Sequence, residues 1–432
     1  MPIDTPNAAH SEMSESWELT DALRSTREMR RAGTKFLPIE PRESLRSYDV
    51  RLERSFLRPA YWSTIRRLVS KAYRKAITIQ RSEDLPDALQ ALEGDIDGAE
   101  CGLTQFGKDS LEVGVNRGLV HAFVDISLLG SEGATSADRF NPSRVRPRVV
   151  RIDPDSLLGW RFETRKEDGK SVLSEIRYKY SRDEQDADDK YGQVDVEYVR
   201  RVSINPDTGE GEWEIYRKAK NEEAFLLAES GPFRFSGRRI PLATLYIAKD
   251  GDMKARVPLW QLAELNQQDW QVGSDQSNNL RFITFPRQFM AGFDDEDIAK
   301  IQAVGPAQAI ISKNENAKFE LVEHSGASAQ VSLDAREMLR REMETEGLAP
   351  LTQKTGDITA TGQVLNEQSR MSDLERWVIA QQIWIQEIYE LAAEWIGEEL
   401  PEGFGVDIAE DMSLSIDGLS PQELRAMWAD HA

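Results

Sequence analysis

Cysteine and histidine are scarce in this chain of 432 residues, and their scarcity excludes several kinds of site. Cys101 is the only cysteine, so no intramolecular disulfide can form and a reducing compartment is expected. The four histidines, His10, His121, His324 and His431, are far apart in the sequence. No His-x-x-x-His or Cys-x-x-Cys pair occurs, so no metal site is predicted.

Long apolar runs and a positive net charge are also lacking. No run reaches the length that spans a bilayer, and the first residues show no signal-peptide pattern, so we expect a soluble cytosolic protein without a membrane partner. The 54 basic residues are outnumbered by 75 acidic ones, and the formal net charge is −21. Because phosphate affinity comes from clustered Lys and Arg, this balance argues against a surface that grips nucleic acid everywhere. It is compatible with a protein that lets nucleic acid pass without sticking.

The spacing of apolar residues predicts a mixed α+β fold. Residues 1–15 are polar and are predicted to form a mobile arm. Residues 47–75 have apolar residues at helical spacing, a break at Pro59, and arginines on the other face. That basic face could meet nucleic acid or an acidic neighbour, although an ordinary solvated face is the simpler interpretation. Residues 103–127 predict a helix followed by a strand, and residues 147–248 alternate as in a meandering antiparallel sheet.

The remaining third of the chain is mainly helical by pattern. Residues 257–284 favour a helix with a strongly polar second half. A small α/β unit follows, with a short helix near 294–304, and a further helix is predicted over 333–346. The last long helix is predicted from Gln363 to Ile396. It carries an apolar stripe formed by Trp377, Trp384, Leu391 and Trp395.

The segment TQKTGDITATG, residues 352–362, is a Thr- and Gly-rich loop between two predicted helices. A Walker-type loop needs Gly, four residues and then Gly-Lys-Ser/Thr, following a strand. Here Lys354-Thr355-Gly356 has the reverse order and follows a helix. The single Gly-Lys-Ser, at 169–171, has Thr164 where the first glycine should be. Neither segment is predicted to bind a nucleotide.

Other candidate sites also have simpler interpretations. The carboxylates at 294–297 could hold a divalent ion, but acids favour a helix N-terminus, which explains them better. His121 begins an apolar strand, where a satisfied, partly buried histidine is the default. No pattern around His324 resembles a nucleophile elbow. We therefore predict no catalytic residue, no metal and no cofactor.

Three short motifs and the order of the segments resemble the tailed-bacteriophage portal proteins, the rings through which DNA enters and leaves the capsid. Residues 48–56, YDVRLERSF, look like the early helix of that family, with its Y-x-x-R-x-x-x-S-F pattern. Residues 118–125, GLVHAFVD, are similar to its glycine-to-LVD strand, and residues 258–266, PLWQLAELN, to the start of its descending helix. The resemblance covers roughly residues 17–396.

The resemblance implies a portal-type α+β fold with named parts. A mobile N-terminal arm (1–15) would precede an α/β wing (16–256), a descending stem helix (257–281), a small α/β clip (282–328), an ascending stem helix (329–347), a tunnel loop (348–362), a long wing/crown helix (363–397) and a short crown or C-terminal tail (398–432).

The resemblance also implies a function without enzymatic activity. The chain would be one subunit of a ring, with twelve subunits in the family, at one vertex of the capsid. The ring would form the channel for genome packaging and ejection, and it would assemble in the host cytoplasm before residing in the virion. Its partners would be terminase, a head-tail adaptor, the major capsid protein and double-stranded DNA that passes without sequence specificity.

The resemblance places two sets of functional residues. The DNA-facing tunnel loop would use Thr352, Gln353, Lys354, Thr355, Asp357, Thr359 and Thr361. Docking of partners at the clip would use Phe285, Arg287, Phe289, Asp294, Asp295, Glu296 and Asp297. Threonine and glycine offer small, neutral contacts, and the attraction of Lys354 to phosphate is screened and opposed by Asp357.

Two other functions remain open at this point. The chain could be a two-domain α+β hydrolase in which residues 352–362 form an active-site lid. It could also be an assembly scaffold outside phages that forms a ring by the same logic. Imaging of the isolated protein separates a ring-forming subunit from a small monomeric enzyme.

Overall fold

A computed structural model describes residues 2–128, 145–185, 191–218, 222, 224–284, 287–292, 318–322, 327–348 and 373–408. The chain divides into two compact units. The first unit contains Met1–Thr20, Trp62–Trp260 and Gly347–Ala432, and the second contains Asp21–Tyr61 and Gln261–Glu346.

The helices and strands are as follows. The helices are α1 Ala8–Ala22, α2 Thr26–Ala32, α3 Leu45–Arg54, α4 Ala60–Ala72, α5 Asp87–Gly94, α6 Leu103–Arg117, α7 Trp260–Thr284, α8 Ala327–Leu348 and α9 Asp373–Ile396. The strands are β1 Thr78–Gln80, β2 Leu119–Leu128, β3 Val145–Ile152, β4 Leu157–Thr164, β5 Ser171–Gln185, β6 Gln193–Ile204, β7 Glu210–Lys218, β8 Leu226–Arg234, β9 Leu242–Tyr246, β10 Lys249–Gly251, β11 Lys254–Ala255, β12 Arg287–Ala291, β13 Lys318–Val322 and β14 Gly405–Asp407. None of these helices has the length and apolar content needed to cross a membrane.

The N-terminal segment differs from the mobile arm predicted for residues 1–15. Helix α1 begins at Ala8, and both His10 and Met13 are buried. The backbone N–H of Asn7 donates to the carbonyl of Leu158 at 2.8 Å, and the ring of His10 lies 3.2 Å from the carbonyl of Asp155. The mobility of residues 1–15 stays a prediction, but residues 8–15 are helical and their segment has partners about 150 residues away in sequence.

The β-rich region of the first unit forms two main sheets. Strands β4 to β8 pair in chain order as one antiparallel sheet, which is the meander that the alternating pattern predicts. Strands β3 and β9 instead flank β2 in a three-stranded antiparallel sheet. Two small strand pairs, β1–β14 and β10–β11, complete the first unit. The sequence predicts the strands, but it predicts one sheet where the structure has two.

Helix α9 supplies a large part of the core of the first unit. The predicted apolar stripe is confirmed, since Trp377, Trp384 and Leu391 are buried. Trp384 stacks on Phe106 of α6 with ring centroids 5.9 Å apart. The half-buried Trp395 donates its indole N–H to the carbonyl of Val124 in β2 at 2.9 Å. The part of the predicted long helix before residue 373 lies outside the described residues.

The second unit contains α2, α3, nearly all of α7, α8 and the antiparallel pair β12–β13. The pair runs from Arg287 opposite Val322 to Ala291 opposite Lys318. The two long helices lie where the sequence predicts helices, with α7 three residues later than the boundaries 257–281. The short helix predicted near residues 294–304 is outside the described residues.

Candidate functional site

The contact between α7 and α8 is built around one buried ion pair. Arg336 of α8 donates from Nε to Oδ1 of Asp269 at 2.9 Å and from Nη2 to Oδ2 at 3.2 Å. Its Nη1 donates to Oε1 of Gln276 at 3.0 Å. The side chain of Asp269 is 1% exposed and that of Arg336 is 18% exposed. Two parallel N–H···O bonds fix direction as well as distance, so this contact sets how α8 lies against α7.

The face of α7 that receives Arg336 is spaced for this contact. Asp269, Gly273 and Gln276 are four and three residues apart, so they lie on one side of the helix. A Cβ atom at Gly273 would lie 3.0 Å from Cζ of Arg336. Glycine at this position therefore leaves room for the guanidinium group to lie against the helix.

A second cluster holds α3 against α7. The buried Arg51 donates to both carboxylate oxygens of Glu43, at 2.9 and 2.7 Å, and to the carbonyl of Pro38 at 2.7 Å. Ser55 donates from its hydroxyl to Oγ of Ser274 in α7 at 2.8 Å. Arg51 and Ser55 are the arginine and the serine of the Y-x-x-R-x-x-x-S-F pattern, so in this chain the motif supplies contacts between helices.

The Arg51 cluster is electrostatically balanced. The hydrogen bonds from Arg51 lower the pKa of Glu43, and the same bonds raise the pKa of the guanidinium group. Asp275 lies 3.5 Å from Arg51 on the outer side, where partial burial raises its pKa. Glu43 and Arg51 therefore stay charged at neutral pH and act as a fixed clamp.

Asn266, the last residue of the PLWQLAELN motif, joins α7 to the segment around Pro59. Its side-chain amide donates to the carbonyl of Arg58 at 2.9 Å, and its oxygen accepts the N–H of Tyr61 at 3.0 Å. Asn266 is fully buried. These two backbone groups lie on either side of Pro59, in the break between α3 and α4. A single side chain therefore satisfies the hydrogen bonding of both groups.

Helix α8 carries exposed apolar side chains in the part of the chain that the structure describes. Val331 is 69% exposed and Met338 is 63% exposed. With the exposed Ala335 they are spaced by four and three residues and form one line along the helix, which we call the α8 stripe. The line runs beside the packed side of α8, where Leu339 and Met343 are buried. Aligned apolar groups of this kind are typical of a surface that another protein covers.

The GLVHAFVD motif ends in a buried acid of the first unit. Oδ2 of Asp125 accepts from Arg200 at 2.8 Å and from Arg148 at 3.3 Å. Burial by itself raises the pKa of Asp125, but the charges of Arg200 and Arg148 and their hydrogen bonds outweigh it, so the pKa is lowered. The three residues line a cleft of about 760 Å³. An acid that stays ionised between two guanidinium groups anchors strands and does not exchange protons near neutral pH.

Of the residues considered for catalysis, His121 and Cys101 lie in the described part of the chain, whereas His324 lies outside it. His121 is buried, and its Nδ1 lies 2.9 Å from Oγ1 of Thr244. This confirms the expectation of a satisfied histidine, and burial lowers its pKa to about 3. Burial likewise raises the pKa of the Cys101 thiol. Among the residues that the structure describes, no group of three His, Cys, Asp or Glu could hold a metal ion.

The residues predicted to meet DNA or partners are largely outside the described ranges. All seven tunnel-loop positions, 352–361, fall there, as do Phe285 and the carboxylates at 294–297. Arg287 and Phe289 lie in β12. Both sets therefore stay predictions.

Sequence reasoning missed the residues that fix the helix pair. The second half of α7 was described only as strongly polar, although Asp269 and Gln276 are one heptad apart with a glycine between them. That spacing indicates a polar stripe along one side of α7 that fits a long basic side chain. The partner, Arg336, is 67 residues away from Asp269 and has no local signal.

Comparisons with known proteins give a limited result. A family model described as "Domain of unknown function (DUF4055)" matches residues 258–396, less than half of the chain, and this range contains α7, α8 and α9. No curated protein matches.

Two solved structures are similar at low sequence identity. One, described as the virion of a native gene transfer agent particle, is 9% identical over 87% of this chain and 85% of that chain, with a TM-score of 0.42. The other, the neck of an empty particle of the same kind computed with C6 symmetry, is 10% identical over 86% of this chain and 90% of that chain, with a TM-score of 0.43. TM-scores of this size do not establish a common fold, so the function has to be argued from the residues of this chain.

Proposed function

We propose that this chain is a phage portal protein, a non-enzymatic subunit of a ring through which DNA is packaged and ejected. The observation that carries the proposal is the pair of long helices, α7 and α8, which flank the strand pair β12–β13 and are locked by Arg336 and Asp269. This is the order of stem, clip and stem that the portal resemblance implies. The motif residues Arg51 and Ser55 contact Ser274 of α7, and Asn266 of α7 contacts the segment around Pro59, which supports the same assignment.

The helix pair has the dimensions and the surface of a repeated wall element. At about 1.5 Å per residue, the 25 residues of α7 extend roughly 37 Å and the 22 residues of α8 roughly 33 Å. The α8 stripe is exposed among the described residues, and a neighbouring copy in a ring would cover it. A heterologous contact of this kind closes into a ring when the rotation between copies permits.

The finer assignments follow from the resemblance. Residues 352–361 would face the DNA, with Lys354 as a weak phosphate contact. The clip, including Arg287, Phe289 and the carboxylates at 294–297, would dock terminase and the head-tail adaptor. Residues 16–256 and α9 would form the wing and its connection to a short crown.

Negative-stain imaging of the purified full-length protein tests the proposal directly. We expect rings with a central hole, whereas small monodisperse particles at all concentrations would contradict it and favour the hydrolase alternative. The double variant Val331→Glu, Met338→Glu should abolish rings because it buries charges at the contact between copies. The matched control, Glu337→Gln with Arg341→Gln, changes two exposed residues of the same helix and should leave the rings intact.

Two further variants test the functional segments. Removal of residues 353–361 should leave ring assembly intact and impair DNA packaging or retention, and a loss of rings would show that the loop is architectural. Charge reversal across residues 294–297 should weaken docking of the adaptor or the packaging motor. Unchanged docking would place the clip elsewhere.

A further inference from the structure

The segment from Arg54 to Arg81 has a charge opposite to that of the chain. It contains eight basic residues and no acidic residue, in a protein whose formal net charge is −21. Its central element is α4, Ala60–Ala72. One or two cations in the last turn of a helix are explained by the helix dipole, but a stretch of 28 residues without one carboxylate is not.

Helix α4 separates its apolar and basic side chains. One face is buried in the first unit and contains Trp62, Ile65, Leu68 and Val69. The opposite face contains Ser63, Arg66, Arg67, Ser70 and Lys71, all exposed except Lys71, which is half-exposed, and it continues to the exposed Arg74. Arg67, Lys71 and Arg74 are spaced by four and three residues, so their charges lie along one line. We call this set the α4 basic face.

Among the described residues, the cations of this face lack the carboxylate partners that hold several arginines elsewhere. Arg51, Arg200 and Arg336 are each bound to a carboxylate at 2.7 to 2.9 Å. Within the described residues, by contrast, Arg66, Lys71 and Arg74 form no ion pair. Arg67 makes one long hydrogen bond, at 3.4 Å, to the carbonyl of Gly347.

The composition of the face favours a phosphate backbone over a protein partner. Protein interfaces are centred on buried aromatic or aliphatic anchors, and the exposed residues of α4 include no large apolar side chain. Contacts to phosphates use Arg, Lys and the hydroxyl groups of Ser, which are the residue types present here. We propose that the α4 basic face binds the phosphate backbone of double-stranded DNA without sequence specificity. The choice of double-stranded DNA rests on the proposed function.

The expected strength follows from the number of contacts. Each neutralised phosphate contributes a slope of about −0.9 to the dependence of log Kobs on log salt concentration. Three contacts predict a slope of about −2.7, so the affinity should fall about 40-fold between 50 and 200 mM salt. The negative charge of the rest of the chain opposes binding, so the contact is weak and suits DNA that must keep moving.

The test uses the full-length protein and a fluorescent 30-base-pair DNA of arbitrary sequence, with anisotropy measured over a salt series. The triple variant Arg66→Gln, Lys71→Gln, Arg74→Gln removes the three charges that form no ion pair with a described residue, and it keeps helix-forming residues. We expect it to lose most of the salt-dependent slope and about tenfold or more in affinity at low salt. Far-UV circular dichroism should show an unchanged fold.

The control variant Arg161→Gln, Lys166→Gln, Lys170→Gln removes the same net charge from exposed positions in or next to β4 and β5. It should bind DNA like the unmodified protein. Equal DNA binding by the triple variant and the unmodified protein would overturn the inference, as would an equal loss in the control. Loss of rings in the triple variant with intact DNA binding would instead assign the face to a contact between copies.

The outcome for DNA is separate from the outcome for the ring. A protein that forms no rings but loses its salt-dependent DNA binding in the triple variant would refute the portal proposal and support the α4 basic face. Rings whose DNA binding does not depend on salt would support the portal proposal and refute the α4 basic face.

Discussion

Breaking the ion pair between Arg336 and Asp269 should destabilise the protein far more than breaking an exposed pair on the same helix. The perturbation is a double-mutant cycle of Asp269→Asn, Arg336→Gln and the double variant. Asp269→Asn keeps the side-chain volume, and Arg336→Gln removes the guanidinium charge but keeps a polar side chain of similar reach up to Cδ. The cycle therefore isolates the interaction between the two groups.

The expected magnitude follows from burial and from the remaining partners. Removing one partner of a buried pair typically costs about 3–5 kcal/mol, because the other charge is left unpaired. Arg336 keeps its hydrogen bond to Gln276 and is 18% exposed, so the lower end, about 3 kcal/mol, is expected for Asp269→Asn. The double variant leaves no unpaired buried charge, and we expect a coupling energy of about 1–3 kcal/mol.

The matched control is the pair Glu337 and Arg341, whose side chains are 64% and 76% exposed. Exposed pairs four residues apart contribute about 0.3–0.5 kcal/mol. Urea unfolding followed by far-UV circular dichroism gives the free energy of unfolding of each variant, and both coupling energies follow from these values. The slope of this free energy against urea concentration is compared between variants. If the two coupling energies are equal, Arg336 and Asp269 do not lock the helix pair, and the reasoning is refuted.

Two other variants test buried positions of the first unit. Burial lowers the pKa of His121 to about 3, so the unfolded state, with a pKa near 6.5, takes up a proton that the folded state does not. The free energy of unfolding should therefore be highest above about pH 6.5 and lower by about 2 kcal/mol at pH 5. Urea titrations at both pH values should show that His121→Gln lacks this part of the pH dependence. Gly118 has a φ of +93°, and a Cβ there would lie 2.1 Å from the carbonyl oxygen of Arg256, so Gly118→Ala should lower the free energy of unfolding by more than about 2 kcal/mol. Gly94→Ala in α5, where a Cβ meets nothing within 4 Å, should change the melting temperature little; a similar loss in both glycine variants would contradict the steric explanation.

The sequence by itself determined the type and position of the periodic elements. Helix α6 and strand β2 were predicted from residues 103–127, and the stripe of Trp377, Trp384 and Leu391 was predicted to be apolar and is buried in α9. These predictions succeed because the periods of 3.6 and 2 residues are properties of a continuous segment. A proline at position 59 likewise acts locally, and α3 and α4 stop and start around it.

The tertiary structure decided which of these segments meet. Residues 8–15, part of the predicted mobile arm, belong to α1, and the carbonyl of Leu158 in β4 accepts a hydrogen bond from Asn7. The sequence of the arm gives no sign of this partner. Two sheets replace the single predicted meander, because β3 and β9 pair with β2. Arg336 meets Asp269 across 67 residues, and only the packing of α8 against α7 brings them together. Local patterns carry no information about such distant partners, whereas hydrogen bonding and close packing depend on them.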